Sequence, residues 1–294
     1  MFGNCVHTDL ALELRETMPE EDMEGVLIEM EQNPEIHLKK TIIRILNQKG
    51  EEKLGKPVGN YYTLECDKLN QDDPDIHMPC VIALYQILQE LVGDSKKILV
   101  IGLGNREITP DALGPKAVEH LYITRHLLQE GILKNSLEIS AFCPGVMAQT
   151  GMEAGQVVEA LCKKIKPETI ICIDALAAKE PARLGTTIQI CDTGITPGAG
   201  VGNRRAALNK HTLGIPVIAV GIPTVIAISS VIHHTLEEVI GKVPDIQSKK
   251  YEQDVRRYLD KPETEKMFVT PKNIDEIVNR VSYTISEAIN RFLS

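Results

Sequence analysis

The 294-residue sequence predicts an α/β fold: a three-layer αβα sandwich on a mostly parallel mixed sheet, plus a smaller N-terminal strand-containing region. Three observations carry that expectation. Continuous apolar runs such as Lys97–Gly102 end in glycine and suit strands buried on both faces. Those runs alternate with amphipathic stretches of helical period, the pattern of helices layered on a parallel sheet. A composition of 43% hydrophobic and 25% charged residues is that of a globular chain able to bury a sizeable core.

Residues 1–75 are polar, with strand-like runs at 26–30, 36–46 and 61–66, and are read as a propeptide and strand-rich region; residues 76–294 are read as the core. A helix opens after Asp72-Asp73-Pro74-Asp75 and carries Val81, Leu84, Ile87, Leu88 and Leu91 at i, i+3, i+4 spacing. The strand at 97–102 follows. Then come a helix at 115–129, a strand at 137–142, a helix at 151–164, and strands at 169–174, 187–191 and 215–220. A helix is predicted over 224–240. The charged segment 244–264 reads as part helical, and a last helix over 271–293 places Ile274, Ile277, Val278, Val281, Ile285 and Ile289 on one face.

Composition also excludes function classes. No apolar run reaches the ~18 residues of a membrane span, because the longest, near 215–231, is broken by Gly221, Pro223, Ser229 and Ser230. The N-terminus lacks the basic-then-apolar order of a secretory signal, so a cytoplasmic location is expected. Seven scattered cysteines (Cys5, Cys66, Cys80, Cys143, Cys162, Cys172, Cys191), with no C-x-x-C, read as reduced thiols. A formal charge of -9 argues against nucleic acid as a partner, since the basic spots at Lys163-Lys164 and Arg204-Arg205 are short.

In such sheets, sites form where loops converge at the carboxyl ends of strands. Gly102-Leu103-Gly104 begins like a dinucleotide turn, but Glu107 stands where G-x-G-x-x-G needs glycine. Asp111 lies in that loop and Asp174 closes the strand at 169–174. Taken alone, each reads first as a helix cap; what lifts the pair is that both sit on loops of one rim. Brought together, two carboxylates cannot both ionise cheaply, so one keeps a proton, the other can act as base, and the pair can activate water. Asp192-Thr193-Gly194 is a single D-T-G, whereas pepsin-like proteases are all-β and pair two copies; Asp192 is the reserve carboxylate. The stretch Gly198, Gly200, Gly202, Arg204 and Arg205 suits an anion, an extended peptide, or simply a tight turn. His233-His234 point about 100° apart on a helix and make no two-ligand metal face. Cys143 has no paired base nearby in sequence, and Ser229-Ser230 sits in no G-x-S-x-G elbow.

Beyond these readings, Gly102-Leu-Gly-Asn-Arg-Glu-Ile-Thr-Pro-Asp-Ala-Leu-Gly-Pro115, Pro144-Gly-Val-Met-Ala-Gln-Thr-Gly-Met-Glu153, Ile173-Asp-Ala-Leu-Ala-Ala178, the stretch from Arg183 to Gly198 and Gly202-Asn-Arg-Arg205 closely resemble the spore germination protease family. The similarity runs from about Thr8 to the C-terminal helix. Through the G-x-G-N loop that ends on Asp111, the family resembles hydrogenase maturation peptidases, within phosphorylase/hydrolase-like folds. The resemblance implies an endopeptidase of small acid-soluble spore proteins, homotetrameric, in the forespore and spore core, with Asp111 and Asp174 as its essential aspartates and Gly102, Gly104 and Asn105 shaping the loop. It also implies a self-processing zymogen. Thr8-Asp9-Leu10-Ala11 matches the family's acidic, hydrophobic, alanine preference, so the cut is expected between Asp9 and Leu10. No counterpart of the maturation peptidases' metal-binding histidine is found, so no cofactor is expected; a divalent metal at Asp111 and Asp174 is the alternative. A phosphorylase or nucleosidase-like enzyme and a non-catalytic binder of acidic spore proteins are the other competing readings.

Overall fold

The computed structural model describes residues 8–19, 23–34, 37–71, 73–198, 206–240 and 267–293. The N-terminal part contains α1 (Ala11–Glu16), β1 (Val26–Asn33), β2 (Leu38–Ile45), α2 (Gln48–Leu54) and β3 (Gly59–Cys66). It continues through α3 (Pro74–Val92), β4 (Lys97–Gly102), α4 (Leu113–Glu119), α5 (Arg125–Gln129), β5 (Glu138–Phe142), α6 (Met147–Thr150) and α7 (Ala154–Ile165). The remainder is β6 (Thr169–Ala178), β7 (Thr187–Cys191), α8 (Lys210–Leu213), β8 (Val217–Ala227), α9 (Ile228–Ile240), β9 (Phe268–Val269) and α10 (Ile274–Asn290). The expected segment 244–264 lies outside the described residues.

The strands share one sheet in the order β1-β2-β3-β7-β8-β6-β4-β5, with β9 on β8. The apolar runs β8, β6 and β4 pair in parallel and are buried on both faces, and β5 adds a parallel, partly exposed edge strand. The strands of the 1–75 region join the same sheet, because β3 pairs antiparallel with β7 and β7 antiparallel with β8. Helices α3, α4 and α10 cover one face over Ile171, Ile173, Ile188, Ile190 and Val220. All six apolar residues expected on the inner face of the last helix are buried there. The other face is covered by α7 over Ile170, Cys172 and Val217, and by α1 and α2 over Tyr61, Cys191 and Ala219. The arrangement is the expected three-layer α/β sandwich. Among the described residues no helix is long and apolar enough to cross a membrane.

Two expected boundaries change. β6 runs on to Ala178 and gives β8 a partner through Ile226, so residues 224–227 are strand and the helix starts at Ile228. The expected helix at 115–129 breaks into α4 and α5 because Thr124 is strapped to β5. Its Oγ1 accepts the Ile139 N–H at 2.8 Å, and its own N–H donates to the Ile139 carbonyl at 3.1 Å.

A buried arginine ties α1 to this frame. Arg183, in the turn after β6, donates from Nη1 to Glu65 at 2.8 Å and from Nη2 to Glu16 at 2.7 Å, and its Nε lies 3.3 Å from Glu180 and 3.4 Å from Glu13. Glu13 is buried and also accepts the N–H groups of Lys179 at 2.8 Å and Glu180 at 2.9 Å. Burial raises the Glu13 pKa more than Thr8, those amides and Arg183 lower it. Arg183→Met removes the cation and leaves the glutamates facing one another, a loss of about 3–5 kcal/mol for a broken buried pair. A lower urea midpoint is expected, and an unchanged midpoint would contradict this role.

Candidate active site

Alternation along β6 sets the position of Asp174. Ile170 and Cys172 point to the α7 side of the sheet, so Asp174, two residues further, points the same way. It does not close the strand, as the sequence suggested, but sits in its middle, and no helix follows for it to cap. The side chain is buried, with Oδ1 accepting the Ala175 N–H at 2.9 Å. Burial, then the charges of Asp111 and Asp9, push its pKa well above the usual carboxylate range. In the same row across the sheet stand Gly221 of β8 and Gln189 of β7.

Asp111 comes from the loop after β4. It ends a short 3-10 turn over Thr109–Asp111, and α4 makes no side-chain cap at its start, so the cap reading fails here too. The Asn105 N–H reaches both the Asp111 carbonyl oxygen, at 3.0 Å, and its Oδ2, at 2.8 Å. That approach requires Gly104, whose φ is +105° and where a Cβ would fall 2.0 Å from the Asp111 carbonyl oxygen. Gly102 lies behind, where a Cβ would meet the Gly114 carbonyl oxygen at 2.5 Å, so it sets how closely β4 packs on α4. The turn is pinned by Thr224 Oγ1 donating to the Pro110 carbonyl at 2.7 Å and Thr109 Oγ1 to Asp275 at 2.9 Å.

The two aspartates meet at a cavity of about 400 Å³, whose wall also includes Gly104, Gly198, Thr224 and, from the N-terminus, Asp9. Asp9 is laid against β6. Its N–H donates to the Ala177 carbonyl at 3.0 Å and its Oδ2 accepts the Ala177 N–H at 2.9 Å. Leu10 is fully buried among Leu176, Ala178, Leu184 and Ile226. A second cavity of about 670 Å³ shares Asp9, Leu176, Ile195 and Thr196 with the first, so Asp9 lies on the wall common to both.

Other sequence candidates fall elsewhere. Asp192 accepts the Asn60 N–H at 2.8 Å and its Nδ2 at 2.6 Å, and it lines neither cavity. Because β7 runs antiparallel to β8, its carboxyl end points away from that of β6. Gly200, Gly202, Arg204 and Arg205 lie outside the described residues. Burial, then Glu119, raises the Cys143 thiol pKa, the wrong direction for a nucleophile. Among the described residues, no group of three or more His, Cys, Asp or Glu is placed to hold a metal ion. Sequence reasoning missed Thr224, Lys56 and Gln189. Gln189 left a trace, as an amide between Ile188 and Ile190 of an otherwise buried strand; Lys56, in a polar turn, left none.

The sheet's loops close a cavity beside an extended stretch of backbone, with carboxylates on its wall. A model of the germination protease family matches residues 7–259, and the chain belongs to that family. It is 40% identical to the germination protease of Caldanaerobacter subterraneus subsp. tengcongensis, over 97% of this chain and 93% of the relative. The Clostridium tetani germination protease is 39% identical, over 97% and 94%. The Bacillus cereus (strain AH187) germination protease is 40% identical, over 80% and 67%. A solved [NiFe] hydrogenase maturation protease, HycI from Thermococcus kodakarensis, covers 69% of this chain and 98% of its own at 16% identity and a TM-score of 0.37, too distant to carry an argument. The chain is an endopeptidase with a role in spore germination, and the phosphorylase-like and binding-only readings fall with that assignment.

The electrostatics give a pH signature. A carboxyl whose folded pKa is raised contributes stability that is present below its unfolded pKa and lost as pH rises through the folded one. Asp174→Asn cannot suffer that loss. The variant's unfolding midpoint should exceed that of the wild type, by an amount that is smallest near pH ~4 and widens toward neutrality. A gap that is constant or shrinks with pH would refute the assigned electrostatics.

Proposed function

We propose that Asp111 and Asp174 together activate the water that hydrolyses the peptide bond, and that the chain is a zymogen that first cuts itself between Asp9 and Leu10. The observation that carries this reading is that Asp9 borders the same cavity as the two aspartates. Burial, then the charges of Asp111 and Asp9, raise the Asp174 pKa, which favours a pair that holds one proton between its two carboxyls. The ionised partner takes a proton from water, whose oxygen adds to the carbonyl carbon. The protonated partner then gives its proton to the departing nitrogen. The pair titrates as a unit, so the roles of acid and base belong to the dyad rather than to either residue. The substrates fitting this site are the small acid-soluble spore proteins, met in the spore core by a homotetramer. The Thr8-Asp9-Leu10-Ala11 segment would be a tethered copy of the sequence the site prefers.

Asp111→Asn and Asp174→Asn are each expected to fold and to lose both self-processing and cleavage of an acidic peptide, by several orders of magnitude. Retention of either activity by both variants would refute the dyad. After incubation at mildly acidic pH, N-terminal sequencing should read Leu10 as the new first residue, and a retained Met1 would overturn the zymogen assignment.

The second reading, a metal-dependent peptidase of the hydrogenase-maturation type, uses the same two carboxylates as ligands. The two alone are fewer ligands than a protein-held metal usually has. Activity is expected to survive exhaustive chelation; its loss, with recovery on adding a divalent metal, would select the second reading.

A further inference from the structure

The Asp9 carbonyl oxygen, at the bond expected to be cut, is held from two sides. Lys56 Nζ donates to it at 3.0 Å and Gln189 Nε2 at 2.9 Å. Gln189 also uses its other atom, Oε1 accepting the Ala11 N–H at 2.6 Å. That pair of bonds fixes which end of the amide is which, since only the NH₂ end can donate to a carbonyl. One buried side chain therefore grips the backbone at Asp9 and at Ala11, on either side of the Asp9–Leu10 bond, as a neighbouring β-strand would. Gln189 and Asp174 point to the same face of the sheet in one row with Gly221 between them, and the Leu176 side chain packs over that glycine.

We infer that Lys56 and Gln189 form the oxyanion clasp of the self-processing reaction; this rests on the cut falling between Asp9 and Leu10. When the water oxygen bonds to the Asp9 carbonyl carbon, the carbonyl π pair moves onto the oxygen, which becomes an oxyanion between an ammonium and an amide N–H. As the carbon–nitrogen bond breaks, that charge returns to reform the carbonyl, and the Leu10 nitrogen leaves as an amine with the proton supplied by the carboxyl pair. The products are an Asp9 carboxylate and a free Leu10 amine. Donors already aimed at an oxygen where charge develops are among the strongest sources of rate enhancement, and losing one costs about 10²–10³ in rate. Lys56 contributes charge as well as a hydrogen bond, which makes that bond the stronger kind. The clasp reads backbone only, so it is compatible with any residue at position 10.

The test follows the first-order rate of self-processing in the full-length chain, with N-terminal sequencing of the product and the unfolding midpoint of each variant. Lys56→Met should slow the cut between Asp9 and Leu10 by about 10²–10³ while the midpoint stays near that of the wild type. Gln189→Glu keeps an acceptor for Ala11 but exchanges the amide donor for a buried carboxyl beside Asp9, so it should slow the cut at least as much and lower the midpoint as well. Lys56→Arg, which keeps a cationic donor, should recover part of the rate, as a purely structural lysine would not require. A folded Lys56→Met chain that cuts itself at the wild-type rate overturns the clasp, and so does a rate loss matched by an equal loss of folded protein. A wild-type chain cut at another bond overturns the zymogen reading instead, and the clasp with it; sequencing tells the two failures apart.

Discussion

Asp174 occupies a place where the alternation of β6 has already put Ile170 and Cys172 under the helices of one face. A carboxylate there loses most of its water, and its neighbours make matters worse, since the nearest charges are two more aspartates. The cost of ionising it is high, and the surroundings lower that cost only slightly through one amide of its own chain. The rest of the site follows from this constraint. Asp111 must be delivered on a loop that bends tightly enough to bring it to Asp174, hence Gly104 and the double acceptance from Asn105. A pair held this way favours sharing a proton, which is the condition for acid and base work in one place.

Much of the layering was legible because strands buried on both faces are written as unbroken apolar runs and the last helix as a clear i, i+3, i+4 stripe. What could not be read was where those runs stop. Ile222 to Ala227 is as apolar as a buried helix, and only the extension of β6 to Ala178 makes it strand. Likewise, nothing local in His120 to Thr124 announces the break between α4 and α5; the cause is a hydrogen bond to β5, distant in sequence.

The site was legible unevenly for the same reason. Asp111 and Asp174 stood out because glycine-rich and apolar contexts framed them, yet their local context favoured helix caps. The objection dissolves only when β6 continues as strand and the Asp111 side chain turns back to Asn105. Asp192, attractive in sequence, is taken up by Asn60 because β7 runs the other way, a pairing direction that no local pattern encodes. Lys56 and Gln189 acquire meaning only from Asp9, which lies 47 and 180 positions away from them.

The placement of Asp9 beside the chain's own aspartates has a consequence for timing. A target carried in the same molecule is present at a fixed effective concentration, so its reaction is unimolecular and its half-life does not change on dilution. A separate protein substrate would instead have to find the cavity by diffusion. Under the proposed self-processing, such a tethered arrangement would work as a clock internal to each chain: the delay before the cut would be set by chemistry inside the fold and not by how much enzyme or substrate surrounds it.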